Sequence, residues 1–377
     1  MRVTFPHMGN LYISLKAMLE YLGVEVVPPP PSSKRTLSLG ARYGPEFACL
    51  PLKLNLGNFI EACEAGADTI VMAGGCGPCR FGYYAQVEQA ILRDLGYDLK
   101  LIVLEPPEKH IAELLVKIKH LAGGSSWWRV VQAIRFGFAK AREVDNLERA
   151  AFRLRPRETV PGSTDRAYRE ALSLIDGASR WDELERAGKK ALAIMESVPF
   201  DAARPVLRVG IVGEIYTLLE PFSNQHIEKQ LGKLGVEVDR SIFLSEWIND
   251  HLFLGLVKGL RSHKEACRAA HPYLRHTVGG HGQETVGSTV NYAGAGYDGV
   301  VQLFPFTCMP EIVAESILPD VATSCGIPVL SLIMDEHTGE AGLLTRLEAF
   351  VDLLARKKEA GEFKQKLAAG RANPAVS

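Results

Sequence analysis

The sequence contains no uncharged apolar run near the ~20 residues needed to cross a bilayer, so no membrane span is expected. Its start, Met1-Arg2-Val3-Thr4-Phe5-Pro6-His7, lacks the apolar stretch and small-residue cleavage site of a signal peptide and reads as a short strand. An excess of one charge is also missing. Lys and Arg total 43 against 44 Asp and Glu, a formal net charge of −1, which favours neither nucleic acid nor an anionic lipid surface. No G-x-x-x-x-G-K-[ST] loop occurs, so any use of ATP is assigned to another protein. Gly210-Ile211-Val212-Gly213-Glu214 ends a strand without completing G-x-G-x-x-G, which gives a dinucleotide site little support. Seven cysteines in 377 residues with no secretion signal do not make a disulfide framework, and they point to a reduced, cytoplasmic setting.

What is present is an ordinary soluble composition, 47% hydrophobic and 23% charged, in a chain long enough for two cores. The chain also reads twice. Leu19–Val27 resembles Leu231–Asp239, each a helix end, a glycine cap and a strand. Ala65–Met72 resembles Ala295–Gln302, and each runs into a cysteine-bearing loop, a helix and a further buried strand, Leu99–Leu104 or Val329–Met334. The expected fold is α/β, with two Rossmann-like domains of mostly parallel sheet, residues 1–107 and 205–355. Residues 108–204 carry helical periodicity with breaks at Gly123-Gly124, Pro156 and Pro161, and read as a helical insertion or connector. Its Trp127, Trp128, Arg129, Arg135, Lys140 and Arg142 could form a partner surface, although amphipathic helices with solvated charges are the plainer reading. Residues 356–377 are expected to be a fraying tail.

The strongest local signal is Gly74-Gly75-Cys76-Gly77-Pro78-Cys79, between an expected strand (68–73) and an amphipathic helix (81–95). Cys-x-x-Cys places two thiolates on one centre, and by itself fits a redox pair, half a zinc site or half a cluster site. Cys49-Leu50-Pro51 and Cys308-Met309-Pro310 share a second pattern, cysteine two residues before a proline that opens a helix. Three helix starts would then direct N–H groups and partial positive charge toward Cys49, Cys79 and Cys308, lowering thiol pKa and stabilising an anion. Loops at the carboxyl ends of parallel strands gather in one crevice, so the four cysteines are expected to meet between the domains. Spacing does not choose between iron–sulfur and zinc, and a purely structural role stays open. Cys63, on an apolar helix face, and Cys325, at a helix end, read as structural, and Cys267 as exposed.

Two further loops carry polar chemistry. His281 and Glu284, in Gly279–Thr285, are candidates to move protons or orient a substrate beside the cysteines, with a solvated loop as the alternative. Glu336 and His337 follow the expected strand 329–334 and would line the same crevice or cap the last helix.

The segments Phe47–Lys53, Gly74–Gly82, Phe306–Glu311 and Asp335–Leu353 resemble the 2-hydroxyacyl-CoA dehydratase component superfamily, and most closely its CoA protein activase, or acyl-CoA dehydratase activase-related, subgroup. Double-cubane cluster proteins are cousins. The resemblance covers most of both α/β domains, and its specific part is the cysteine motifs. It implies Rossmann-like domains around an iron–sulfur cluster, most simply [4Fe-4S], reduced by a cluster-bearing activator that couples ATP hydrolysis to low-potential electron transfer. In the dehydratases three cysteines typically leave one iron open to substrate. Here Cys76 and Cys79 together supply an extra thiolate, which argues for electron transfer or reduction over dehydration. The expected function is therefore an iron–sulfur redox protein passing electrons to a substrate or partner. The alternatives are a dehydratase-like lyase acting on an acyl-CoA through an open iron, and a zinc-stabilised interaction protein. A homodimer is left open.

Overall fold

The computed structural model describes residues 1–75, 78–104, 111–253 and 255–372, with the side chains of 111–115 and 361–372 set aside. The first unit runs β1 (Arg2–Thr4), α1 (Leu11–Tyr21), β2 (Glu25–Val26), α2 (Lys34–Tyr43), α3 (Leu50–Glu64), β3 (Thr69–Ala73), α4 (Tyr84–Asp94) and β4 (Lys100–Leu104). Four helices follow, α5 (Ile111–Leu121), α6 (Trp127–Leu154), α7 (Ser163–Gly177) and α8 (Trp181–Glu196). The second unit opens with β5 (Leu207–Gly213), α9 (Ile215–Leu219), α10 (Ile227–Lys233), β6 (Val236–Arg240), α11 (Leu244–Leu252) and α12 (His263–Ala270). It closes with α13 (Gly282–Gly294), β7 (Gly299–Pro305), α14 (Met309–Cys325), β8 (Val329–Met334) and α15 (Glu340–Ala372).

Each unit holds a four-stranded parallel sheet, ordered β2-β1-β3-β4 in the first and β6-β5-β7-β8 in the second. The internal repeat is thus a repeat of topology. The glycine caps behave as their positions require: Gly23 and Gly235 take φ of 81° and 80°, open to glycine without strain, and turn α1 and α10 into the next strand. A second equivalence appears only in packing. α3 rests on α2 at Gly57, and α13 on α12 at Gly287. A Cβ there would fall 2.0 Å from the Thr36 carbonyl oxygen and 1.7 Å from that of Ala266.

α3 ties the two units together. It is buried continuously from Leu50 to Ile60, including the polar Lys53, Asn55 and Asn58, as a helix with no solvent face over that stretch. Leu52, Leu56, Phe59 and Ile60 pack into the first core, while Leu50 and Leu54 join Val209, Ile211, Val301 and Leu303 in the second. The connector is helical as expected and docks on both sides. Ser14 of α1 donates to the Gly137 carbonyl at 2.8 Å, and Arg149 reaches Glu246 at 2.7 Å. Its charges are not all solvated: Lys140 is buried, donating to the Asp176 carbonyl at 2.8 Å, and burial lowers its ammonium to about 8. Trp127 and Trp128 are exposed. The expected tail is different in kind, because α15 continues helical through Ala372. Among the described residues no helix is long and apolar enough to cross a membrane.

Candidate functional site

In a parallel sheet the crevice lies beyond the carboxyl ends of the strands, where the order reverses. Here that is between β1 and β3 and between β5 and β7. α3 returns antiparallel to the strands, so its first turn sits at that edge with Cys49 as N-cap. Cys308 follows β7 directly and N-caps α14, and proline stands in the first turn of both helices. Cys79 precedes a 3-10 turn (Arg80–Tyr83) rather than the first turn of an α-helix. Gly75 and Gly82 approach too closely there for a Cβ, which would lie 2.6 Å from the Gly75 oxygen. Cys76 lies outside the described residues.

Arg80 brings the three described loops together. Its guanidinium donates to the Phe47 carbonyl at 3.1 Å and to the Thr307 carbonyl and Oγ1 at 2.8 and 2.6 Å. Thr307 Oγ1 in turn donates to the Phe47 carbonyl at 3.3 Å. One side chain next to Cys79 therefore fixes the segments just before Cys49 and Cys308, from two domains. Thr307 is held in the left-handed region, φ 66°, which threonine rarely adopts and which the surrounding bonds must maintain. Gly279 closes in from α13's leading loop, where a Cβ would lie 2.7 Å from Pro78 and 3.2 Å from the Cys79 nitrogen.

The electrostatics correct one expectation. Burial raises the thiols of Cys49, Cys79 and Cys308 above the ordinary value, and the Glu214 carboxylate pushes each further in the same direction. The helix-end donors do act, since the Phe81 and Glu311 N–H groups bond Cys79 and Cys308, but desolvation outweighs them. Without a cation these thiols stay protonated, and a bound metal centre must displace their protons. Cys49 and Cys79, and Cys49 and Cys308, are close enough to feel each other's charge. Cys49 also shares a hydrogen bond with the buried Tyr84 hydroxyl. Among the described residues, no three His, Cys, Asp or Glu side chains are grouped to hold a single metal ion.

The remaining cysteines sit apart from this lacing. Cys63 and Cys267 are partly buried, with burial raising both thiols to about 11, so Cys267 is not the exposed thiol expected. Cys325 ends α14 before Gly326, within 3.7 Å of the Tyr273 hydroxyl.

His281 and Glu284 lie at the start of α13, next to the glycines that pack on Pro78, Cys79 and Pro310. His281 N-caps α13 beside His251 and His263, and Glu284 lines a separate cavity. Glu336 does reach across the domains, paired with Lys53, which also donates to the Glu46 carbonyl at 3.0 Å. Burial works against the Glu336 carboxylate, but the Lys53 hydrogen bond and charge prevail and lower its pKa. His337 is exposed, its backbone N–H capped by Asp335.

Glu214, Arg80, Tyr84 and Lys53 are the site neighbours that sequence reading missed. Only Glu214 had a signal, its place at the carboxyl end of β5, where it accepts from Tyr216 N, Thr217 N and Thr217 Oγ1 at the start of α9. Phe47, Tyr83, Phe306 and Met309 form an apolar rim, with exposures of 70, 73, 52 and 47%.

No known family model matches the chain, and no curated protein is detectably similar to it.

Proposed function

We propose that this chain is an iron–sulfur redox protein whose cluster, most simply [4Fe-4S], is held between its two domains by Cys49, Cys76, Cys79 and Cys308. The observation that carries this reading is the Arg80 lacing, which gathers three cysteine-bearing loops from two domains into one crevice. Cys49 feels the charge of both Cys79 and Cys308, so these thiols belong to one neighbourhood. Such a cluster, when bound, takes up and releases electrons at low potential.

The chain's own residues would do the rest. Cys79 and Cys308 receive N–H···S bonds from Phe81 and Glu311, which raise a cluster's potential, while the anionic side of Glu214 acts against them. Tyr84 and Leu50 close the inner wall to water. The exposed apolar rim of Phe47, Tyr83, Phe306 and Met309 is suited to docking the donor, an ATP-dependent, cluster-bearing activator protein, and electrons pass on to a substrate or partner. Four thiolates leave no iron open for a substrate hydroxyl, so electron transfer is preferred over an acyl-CoA dehydratase role. A reducing cytoplasm is the setting that suits this reading, because cysteine ligands and free thiols persist there.

The test is metal and sulfide analysis of protein purified without oxygen. The expected result is brown protein with about four iron and about four sulfide per chain. Colourless protein with stoichiometric zinc would overturn it.

A further inference from the structure

The carboxyl ends of β5 and β6 open on a second enclosure, a cavity of about 120 Å³ walled by α11, α13 and the start of α12. By comparison with a cavity of ~150 Å³ that accepts benzene, it has room for about five non-hydrogen atoms. Four acidic side chains line it, Glu246, Asp250, Glu265 and Glu284. Arg261 is already engaged by Glu246 at 3.2 Å, Asp239 at 2.7 Å and the Arg240 carbonyl at 2.8 Å. His251 gives its Nδ1 hydrogen to the Trp247 carbonyl at 2.9 Å, which leaves Nε2 as an acceptor. His263 Nδ1 is buried without a hydrogen bond, 3.0 Å from Asp250 Oδ2 but out of line with it.

Glu284 stands out. It lines the cavity from the first turn of α13, half-buried, with no hydrogen-bond or ion-pair partner among the described residues. Burial, with Glu311 and Asp250 adding to it, raises its carboxyl to about 8. The aromatic wall is continuous: Trp247 stacks on His251 at 4.4 Å between ring centres, and His251 on His263 at 5.5 Å. Several carboxyl groups, one of them without a partner, and aromatic faces together describe a receptor for an organic cation. A bare metal ion fits less well, because no three ligating side chains among the described residues are grouped to hold one.

We propose that this cavity binds a small organic ammonium ion, with Glu284 as its counter-charge and the Trp247–His251 stack as its wall. The site is independent of the cysteines. The experiment is isothermal titration calorimetry of the full chain with n-butylammonium, using n-butanol, butyrate and Zn²⁺ alone as comparison probes. Saturable binding is expected for n-butylammonium and not for the others, and the Cys308→Ser protein should bind it equally well. Glu284→Gln should weaken binding at least ~10-fold, the scale of a lost charge-assisted pair. At pH 7 the bound cation ionises Glu284, so the heat should vary with the buffer's ionisation enthalpy in wild type and not in Glu284→Gln. Ser288→Leu fills the same space while keeping Glu284, and should also abolish binding in a protein with an unchanged melting curve. Equal binding of n-butanol, unchanged affinity in folded Glu284→Gln or Ser288→Leu, or no saturable binding of n-butylammonium would overturn the proposal. So would stoichiometric Zn²⁺ binding that Glu284→Gln removes.

Discussion

Replacing Arg80 with alanine leaves every proposed ligand in place and removes only what holds their loops together. Three hydrogen bonds disappear, to the Phe47 carbonyl and to two atoms of Thr307, while the Thr307–Phe47 bond at 3.3 Å remains. Arg80 is exposed, so water replaces part of each bond, and a value near the lower end, about 0.7 kcal/mol each, is appropriate. The set then contributes about 2 kcal/mol, equivalent to roughly 30-fold in retention of the cluster. Thr307 would also be free to leave its left-handed conformation, which carries Cys308 with it. The assay is the rate at which visible absorbance is lost when protein loaded without oxygen is challenged with an iron chelator. Arg80→Ala should lose its cluster about 30-fold faster, and Arg80→Lys should recover part of the difference. Arg186→Ala, which removes an exposed pair on α8, serves as the control and should match wild type. Equal rates for Arg80→Ala and wild type would refute the argument that this side chain assembles the site.

Three other outcomes follow from the same structure. Serine at Cys49, Cys76, Cys79 or Cys308 should reduce or abolish bound iron and sulfide, whereas serine at Cys63, Cys267 or Cys325 should leave both near wild type by metal analysis. Glu88 is wholly buried with neither carboxyl oxygen hydrogen-bonded, and burial holds its pKa well above the ordinary value. Its folded pKa exceeds its unfolded one, so the cost is absent below the ordinary carboxylate range and grows as pH rises toward the folded value. Glu88→Leu should therefore stabilise the fold by about 1–3 kcal/mol at neutral pH and flatten that decline, as read from denaturant midpoints at a series of pH values. On the proposed function, reduction of the loaded protein by an ATP-dependent activator should require ATP, and an identical spectral change without nucleotide would remove the need for that partner.

Much of the architecture was legible because it rests on local chemistry. Gly23 and Gly235 announce helix ends through the one conformation glycine takes cheaply, and the central strand β7 is a near-continuous apolar run. Pro51 and Pro310 mark first turns, so the cysteines before them could be placed as N-caps from spacing alone. What lay beyond the sequence was set by contacts between segments far apart in the chain. Arg80 and Thr307 are 227 positions apart, and nothing local in either announces that one holds the other. The same holds for Lys53 and Glu336, and for α3, whose continuous burial is explained only by the two cores it joins. The thiols' raised pKa values reverse a local expectation, because desolvation depends on the whole surrounding fold while a helix end acts only over its first turn. Glu284 carries chemistry that the sequence reveals, but the cavity it lines is assembled from α11, α12 and α13, which no local stretch announces. Residue type and spacing therefore determined which groups could react. Three-dimensional packing decided which of them face one another, since proximity between distant segments is a property of the folded core rather than of any stretch of chain.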